Sequence, residues 1–157
     1  MPKIDLEKQD IKIGTGYPSP YDEPCRTRRG IDLSAAAGLT QFGSRLVTLP
    51  PGSWSSQRHW HSHEDELVYI IAGHPTFVDD HGPQRLSPGD VTAHPGGDRN
   101  GHHMKNETEE DVVYLVVGTC APARDHCHYP DVDMDLPVNG TENRIFVRKD
   151  GSLFQAD

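Results

Sequence analysis

His59 and His61, with one residue between them, and Glu66 five positions later are the side chains of this sequence best placed to do chemistry. Residues i and i+2 of a strand point to the same face, so both imidazoles can enter one interior. Trp60 then faces the other way. Two imidazoles and a nearby carboxylate are ligands for a divalent metal ion. Eight of the ten histidines fall between positions 59 and 103. A fourth ligand should come from another strand crossing the same interior. His102 is the first candidate and His103 the second. With His102 inward, Asn106 shares its face and Lys105 points to water, the cheaper arrangement for an ammonium group. Such a set suits iron, manganese, nickel, zinc or copper without choosing among them. Glu66 has a second potential role, as a general base, if the metal keeps only histidines.

The elements that must hold these residues are short. Candidate strands run over 45–49, 54–61, 66–72, 76–79, 84–86, 90–94, 102–106, 112–118 and 144–148, rich in β-branched and aromatic residues. Gly73, Asp80-His81-Gly82-Pro83, Ser87-Pro88-Gly89 and Pro95-Gly96-Gly97 separate them as turns. This punctuation predicts an all-β antiparallel sandwich or barrel with no helix of ordinary length. Glu66 is expected on the strand after His61, brought back beside the histidines by a hairpin turning at 62–65. Residues 1–39 read as an irregular N-terminal arm and loop, with a short helical turn or loop at 32–38. Residues 40–157 read as one barrel domain, with an irregular excursion over 119–142 before a final strand.

Other residues have plainer readings. His63 and Asp65 belong to the turn and to solvent, and Glu64 is the rival carboxylate. His74, His81 and His94 fall beside turns, as surface or supporting residues. His126-Cys127-His128 repeats the H-x-H spacing, but in an acidic, proline-rich loop without a strand signal. Trp54, Tyr69, Phe77, Met104 and Tyr114 are expected to fill the barrel and so to wall any pocket within it. Arg58 and Gln57 read first as surface residues and second as contacts for an acidic substrate at the barrel mouth. Arg26, Arg28 and Arg29 read first as a solvated basic run and second as an anion site.

Composition narrows the class. The chain has 157 residues, 34% hydrophobic and 25% charged, with 15 glycines and 13 prolines, which fits one domain of many short strands. A formal charge of -9 argues against nucleic acid and anionic lipid as partners. Three cysteines cannot all pair within one chain and match no zinc or redox motif, so reduced thiols are expected. With no long apolar run and no apolar leader, a cytoplasmic location is expected.

Two stretches resemble the paired motifs of the cupin superfamily, small jelly-roll barrels. The first family motif is G-x(5)-H-x-H-x(3,4)-E-x(6)-G. Gly52, His59, His61, Glu66 and Gly73 match it, with six residues rather than five after Gly52. The second is G-x(5)-P-x-G-x(2)-H-x(3)-N. Gly89, Pro95, Gly97, His102 and Asn106 match it, with four residues rather than two before His102. Residues 54–61 and 100–103 also look like a group of small single-domain bacterial cupins. The resemblance implies a double-stranded β-helix barrel, a bound metal and often a homodimer; it supplies no reaction. Three function classes follow. The leading one is a metalloenzyme acting on a small polar metabolite, dioxygenase first, then isomerase or decarboxylase. The others are a small-molecule-binding or sensor module without turnover, and a protein whose metal is structural.

Overall fold

A computed structural model of the chain describes residues 3–138 and 143–155. Its strands are β1 (Lys12–Ile13), β2 (Arg29–Asp32), β3 (Phe42–Leu49), β4 (Trp60–His61), β5 (Glu66–Ala72) and β6 (Thr76–Asp79). They continue with β7 (Gly82–Arg85), β8 (Val91–His94), β9 (His103–Lys105), β10 (Val112–Thr119), β11 (Cys127–His128) and β12 (Asp135–Leu136). One sheet runs β1-β2-β3-β10-β5-β8, and two smaller ones run β12-β11-β4 and β7-β6-β9. The architecture is the expected all-β double-stranded β-helix. The single short α-helix among the described residues, α1 (Leu33–Ala37), begins where the Asp32 carboxylate accepts the Ala35 N–H at 2.9 Å. It stops at Gly38, whose φ of +67° is a left-handed cap.

The inner face follows from strand parity. Val47 and Leu49 on β3, Val68 and Ile70 on β5, and Val112 and Tyr114 on β10 are buried and pack with Phe77, Leu86 and Met104. The alternate residues of β5, namely Leu67, Tyr69 and Ile71, lie outside, so Tyr69 does not fill the barrel as expected. Its place between Val68 and Ile70 in the strand puts it on the opposite face from both. A second cluster joins the two ends of the chain: Cys127, Tyr129 and Met134 are buried against Tyr17 and Tyr21 from the arm and Phe146 and Phe154 from the C-terminal segment.

Strands β5 and β6 occupy their predicted spans, and three other predictions fail for local reasons. The strand expected over 54–61 shrinks to β4, with isolated bridges Trp54↔Lys105 and His59↔His102. The last strand, expected over 144–148, is absent. Only Val147 meets partners there, exchanging backbone hydrogen bonds with Asp135 at 2.8 and 2.9 Å. Residues 127–128, expected in a loop, instead form β11 because β4 and β12 flank them. The end of that excursion, residues 139–142, lies outside the described residues.

The link from β4 to β5 is a corner between two sheets, not the expected hairpin: β4 pairs with β11, while β5 pairs with β10 and β8. The corner is tight. A Cβ on Gly96 would sit 2.6 Å from the His63 carbonyl carbon, so only glycine lets the chain pass there. Asp65 fastens the same crossing by accepting the Gly96 N–H at 2.8 Å.

Candidate metal centre

His59 and His102 face each other across a two-stranded bridge. His59 donates its N–H to the His102 carbonyl at 3.2 Å, and His102 donates back at 2.8 Å. Directly opposed residues of an antiparallel pair project to one side, so their rings meet with centroids 4.9 Å apart. Glu66, first residue of β5, arrives from the large sheet; its Oε1 lies 3.2 Å from His102 Nε2. Ligand atoms of His59, Glu66 and His102 all fall within 4.8 Å of one another. His61 stands beside this trio, its ring centroid 5.1 Å from that of His59. It forms separate groups of the same tightness, with His59 and Cys127 and with Glu64 and Asp125. His103, though also buried, turns away: its Nδ1 meets the Ser56 carbonyl at 3.1 Å and its ring packs edge-on against Trp54.

Hydrogen bonds set which nitrogen faces inward. The Gln57 carbonyl, 2.9 Å from His59 Nδ1, can only accept. That places the proton on Nδ1 and the lone pair on Nε2. The Asp125 carboxylate does the same for His61, 2.6 Å from its Nδ1. Asp125 is itself held by the N–H groups of His63 and Glu64 at 2.8 and 3.2 Å. Burial, and then the neighbouring His102 and His61 rings, keep His59 well below the usual histidine value, so it stays neutral. Burial would raise Glu66, but the His102 contact and the surrounding imidazoles outweigh it and hold the carboxyl at about 2. Burial would lower His61, but the Asp125 contact and the nearby Glu66 and Glu64 carboxylates raise it above the usual histidine value, so a cation there would displace a proton from it. Two imidazoles with Nε2 turned inward and an ionised carboxylate form a donor set that fits a divalent cation. Cys127 is a poor addition, since burial pushes its thiol far up and keeps it protonated.

A cavity of about 610 Å3 opens beside these groups, lined also by Glu64, His94 and Tyr129. His94 stacks on His102, centroids 3.4 Å apart and rings 6° from parallel. Burial, then the His102 ring, brings it down to about 4. It is closer to the centre than its turn position suggested, because β8 pairs His94 directly with Glu66.

Sequence reasoning missed Asp125, which lies 64 positions from its partner His61 in a segment without a strand pattern. It also misplaced three residues. Gln57 is buried, donating to the Tyr21 carbonyl at 2.7 Å. Arg58 is committed to Asp131, through two contacts of 2.7 Å, and to Asp80. Arg28 does not lie in a solvated basic run; it lines the cavity and hydrogen-bonds Tyr114.

A cupin-domain family model matches residues 45–118. A structure from Silicibacter pomeroyi, described as a sugar phosphate isomerase from a cupin superfamily, is 41% identical, with a TM-score of 0.91 over 99% of this chain and 98% of that one. A candidate sugar phosphate isomerase from Acidithiobacillus ferrooxidans is 27% identical, with a TM-score of 0.72 over 83% and 82% of the two chains. A polyketide cyclase from Streptomyces resistomycificus shares the fold at 20% identity and a TM-score of 0.61, over 76% of this chain and 80% of that one. No curated protein sequence matches the chain. The chain belongs to the cupin superfamily.

Proposed function

We propose that the protein is a metal-dependent isomerase of a small phosphorylated sugar, with His59, His61, Glu66 and His102 holding the cation. The observation that carries this reading is the meeting of His59, Glu66 and His102 at the wall of a cavity sized for a small metabolite. The likeness along nearly the whole chain to a structure described as a sugar phosphate isomerase supports isomerisation over the dioxygenase chemistry expected first from the sequence. Iron, manganese, zinc and nickel all remain compatible with the ligand set.

A bound divalent cation would supply Lewis acidity to a carbonyl or hydroxyl oxygen of the sugar. Asp125 and the Gln57 carbonyl keep two imidazoles oriented. With Glu66 committed as a ligand, Glu64 is the carboxylate left for proton transfer. Its Oε1 accepts the Ala121 N–H at 2.6 Å, which fixes the side chain at the cavity wall. Glu64 takes the proton from the carbon beside the carbonyl and returns it to the neighbouring carbon. The hydroxyl proton passes between the two sugar oxygens, so no oxidant or reductant is consumed.

Two further readings accompany this one. The exposed apolar residues Leu67, Tyr69, Ile71 and Val91 share the outer face of β5 and β8, which supports a homodimer formed through that face. Cys25, Cys120 and Cys127 are all free thiols, and no helix among the described residues is long and apolar enough to cross a membrane. Both are compatible with the cytoplasm.

The test is elemental analysis of tag-free protein, followed by proton NMR in deuterated water with a panel of aldose and ketose phosphates. Interconversion with solvent deuterium at the migrating position, abolished by chelation, is the expected result. Glu64→Gln should lower the rate roughly a hundredfold or more while binding metal normally. A sugar phosphate that binds tightly yet stays unchanged over hours, with every candidate metal, would replace this reading with a binding module.

A further inference from the structure

In a chain of net charge -9, the cavity wall carries as many cations as carboxylates, the latter being Asp32, Glu64, Glu66 and Asp125. Lys12, Arg28, Arg45 and Arg144 all line it. Strand register explains three of them. Lys12 pairs with Gly30, Gly30 with Val47, Val47 with Tyr114 and Tyr114 with Ile70. Val47, Tyr114 and Ile70 are buried on the inner face, so Lys12 stands on that face at its far edge. One step along, Asp32, Arg45, Val116 and Val68 form the parallel row, which places Arg45 inward too. Arg28 comes two residues before Gly30 and extends the same face of β2. Its Nη1 lies about 4.0 Å from where a Gly30 side chain would begin.

Arg28 is the deepest of the four. Its Nε is buried and meets no acceptor. Its charged group faces Tyr114, Tyr17 and Cys25, all neutral, and it makes no ion pair with a described carboxylate. Arg144 likewise has no carboxylate within ion-pair distance among the described residues, while Arg45 shares Asp32 at 3.5 Å. Buried cations are ordinarily paired, because an unpaired one loses its solvation without a compensating contact.

We infer that Arg28, with Lys12, Arg45 and Arg144 at the rim, forms a subsite for the phosphate monoester of the substrate, opposite the imidazole cluster. Arginine's planar fork suits phosphate oxygens, and lysine adds charge without geometry. Spacing sets the substrate's length. Glu66 starts β5, and β3 and β2 lie two and three strands away, or about 10 and 14 Å. A pentose or hexose phosphate spans that gap once the arginine side chains reach inward. The N-terminal arm therefore builds the end of the site that chooses the substrate, while the motif strands build the end that reacts. The identity of the sugar rests on the isomerase reading; the anion subsite does not.

Titration of the full-length protein with inorganic phosphate, followed by calorimetry and phosphorus NMR, tests the subsite without turnover. Wild type should bind phosphate and release it as salt rises. Arg28→Met should weaken phosphate and sugar-phosphate binding by roughly tenfold to a hundredfold. It should leave metal content and binding of the unphosphorylated sugar unchanged, and Arg28→Lys should recover part of the loss. Arg144→Gln and Lys12→Gln, both at exposed positions, should each weaken phosphate binding severalfold and guard against a folding defect in the Arg28 variant. No phosphate binding to wild type, or equal binding by a folded Arg28→Met protein, overturns the subsite. Tighter binding of a sugar acid than of the matching sugar phosphate overturns the choice of phosphate. Phosphate binding that depends on Arg28 in a protein without isomerase activity would retain the subsite and reject only the reaction.

Discussion

Asp125 fixes one imidazole of the centre and is itself fixed by two backbone N–H groups and by His61. Replacing it by Asn keeps the size but removes the charge, leaving His61 freer to turn. Asp125→Asn should weaken metal binding by roughly tenfold to a hundredfold in a chelator competition, with the fold intact by circular dichroism. His59 and His102 could be read from the sequence because strand alternation and their spacing to nearby glycines limit where they point. Asp125 could not, since its role depends on a contact made across the chain. Arg58 offers a pH test away from the centre. Its hydrogen bonds hold the Asp131 carboxyl below the usual aspartate range. A carboxyl lowered by folding adds stability above its unfolded value, near 4, and loses it as pH falls through the folded value. Wild type should therefore exceed Asp131→Asn in urea stability at pH 7, and the gap should narrow by pH 3. An unchanged gap would mean that the Arg58 contact contributes nothing.

At the scale of elements, the centre depends on where strands start and turn. Glu66 reaches His102 because the 62–65 corner carries the chain from the small sheet to the large one. Gly73 closes β5 with a φ of +77°, and a Cβ there would lie 2.7 Å from the Asp111 carbonyl oxygen and 2.9 Å from the Val112 Cα. Gly73→Ala must strain the backbone or push β10 aside. It should cost about 1–3 kcal/mol, read as a lower denaturant midpoint with an unchanged slope. Strands such as β5 and β6 were legible because each carries its own alternation and is bounded by turn residues. Two-residue strands such as β4 and β11 were not, because their identity comes from partners distant in the chain. The strand expected over 144–148 failed in the opposite way: its composition suits a strand, but Val147 alone forms β-bridges, to Asp135 and Leu153.

At the scale of the molecule, the barrel has one packed inner surface and an outer surface that is apolar over part of the large sheet. If that face joins two copies, Tyr69→Lys combined with Val91→Lys should give a folded monomer by analytical ultracentrifugation, where wild type sediments as a dimer. The two residues are cross-strand partners, so paired like charges would oppose association most directly. A variant of unchanged mass would place any interface elsewhere. The barrel class was readable from turn spacing and motif glycines. The arm's part in the cavity was not, because it is the pairing of β2 with β3 that brings Gly30, and with it the preceding Arg28, to the inner face.

The three thiols divide the molecule into regions that a small reagent can tell apart. Cys25 and Cys127 are 0% and 2% exposed, whereas Cys120 is open to solvent just beyond β10. A maleimide added to the folded protein should therefore mark one position per chain, and mass spectrometry should place it at Cys120. Cys25 lies in the arm and Cys127 beside the imidazoles, so each should be marked only when its region opens. The rates at which the two hidden sulfurs acquire the tag would show whether the arm loosens before the barrel or together with it. A dye on Cys120, beside the Ala121 N–H that grips Glu64 and two residues from Pro122 in the cavity wall, should report filling of the cavity by a change in colour or brightness.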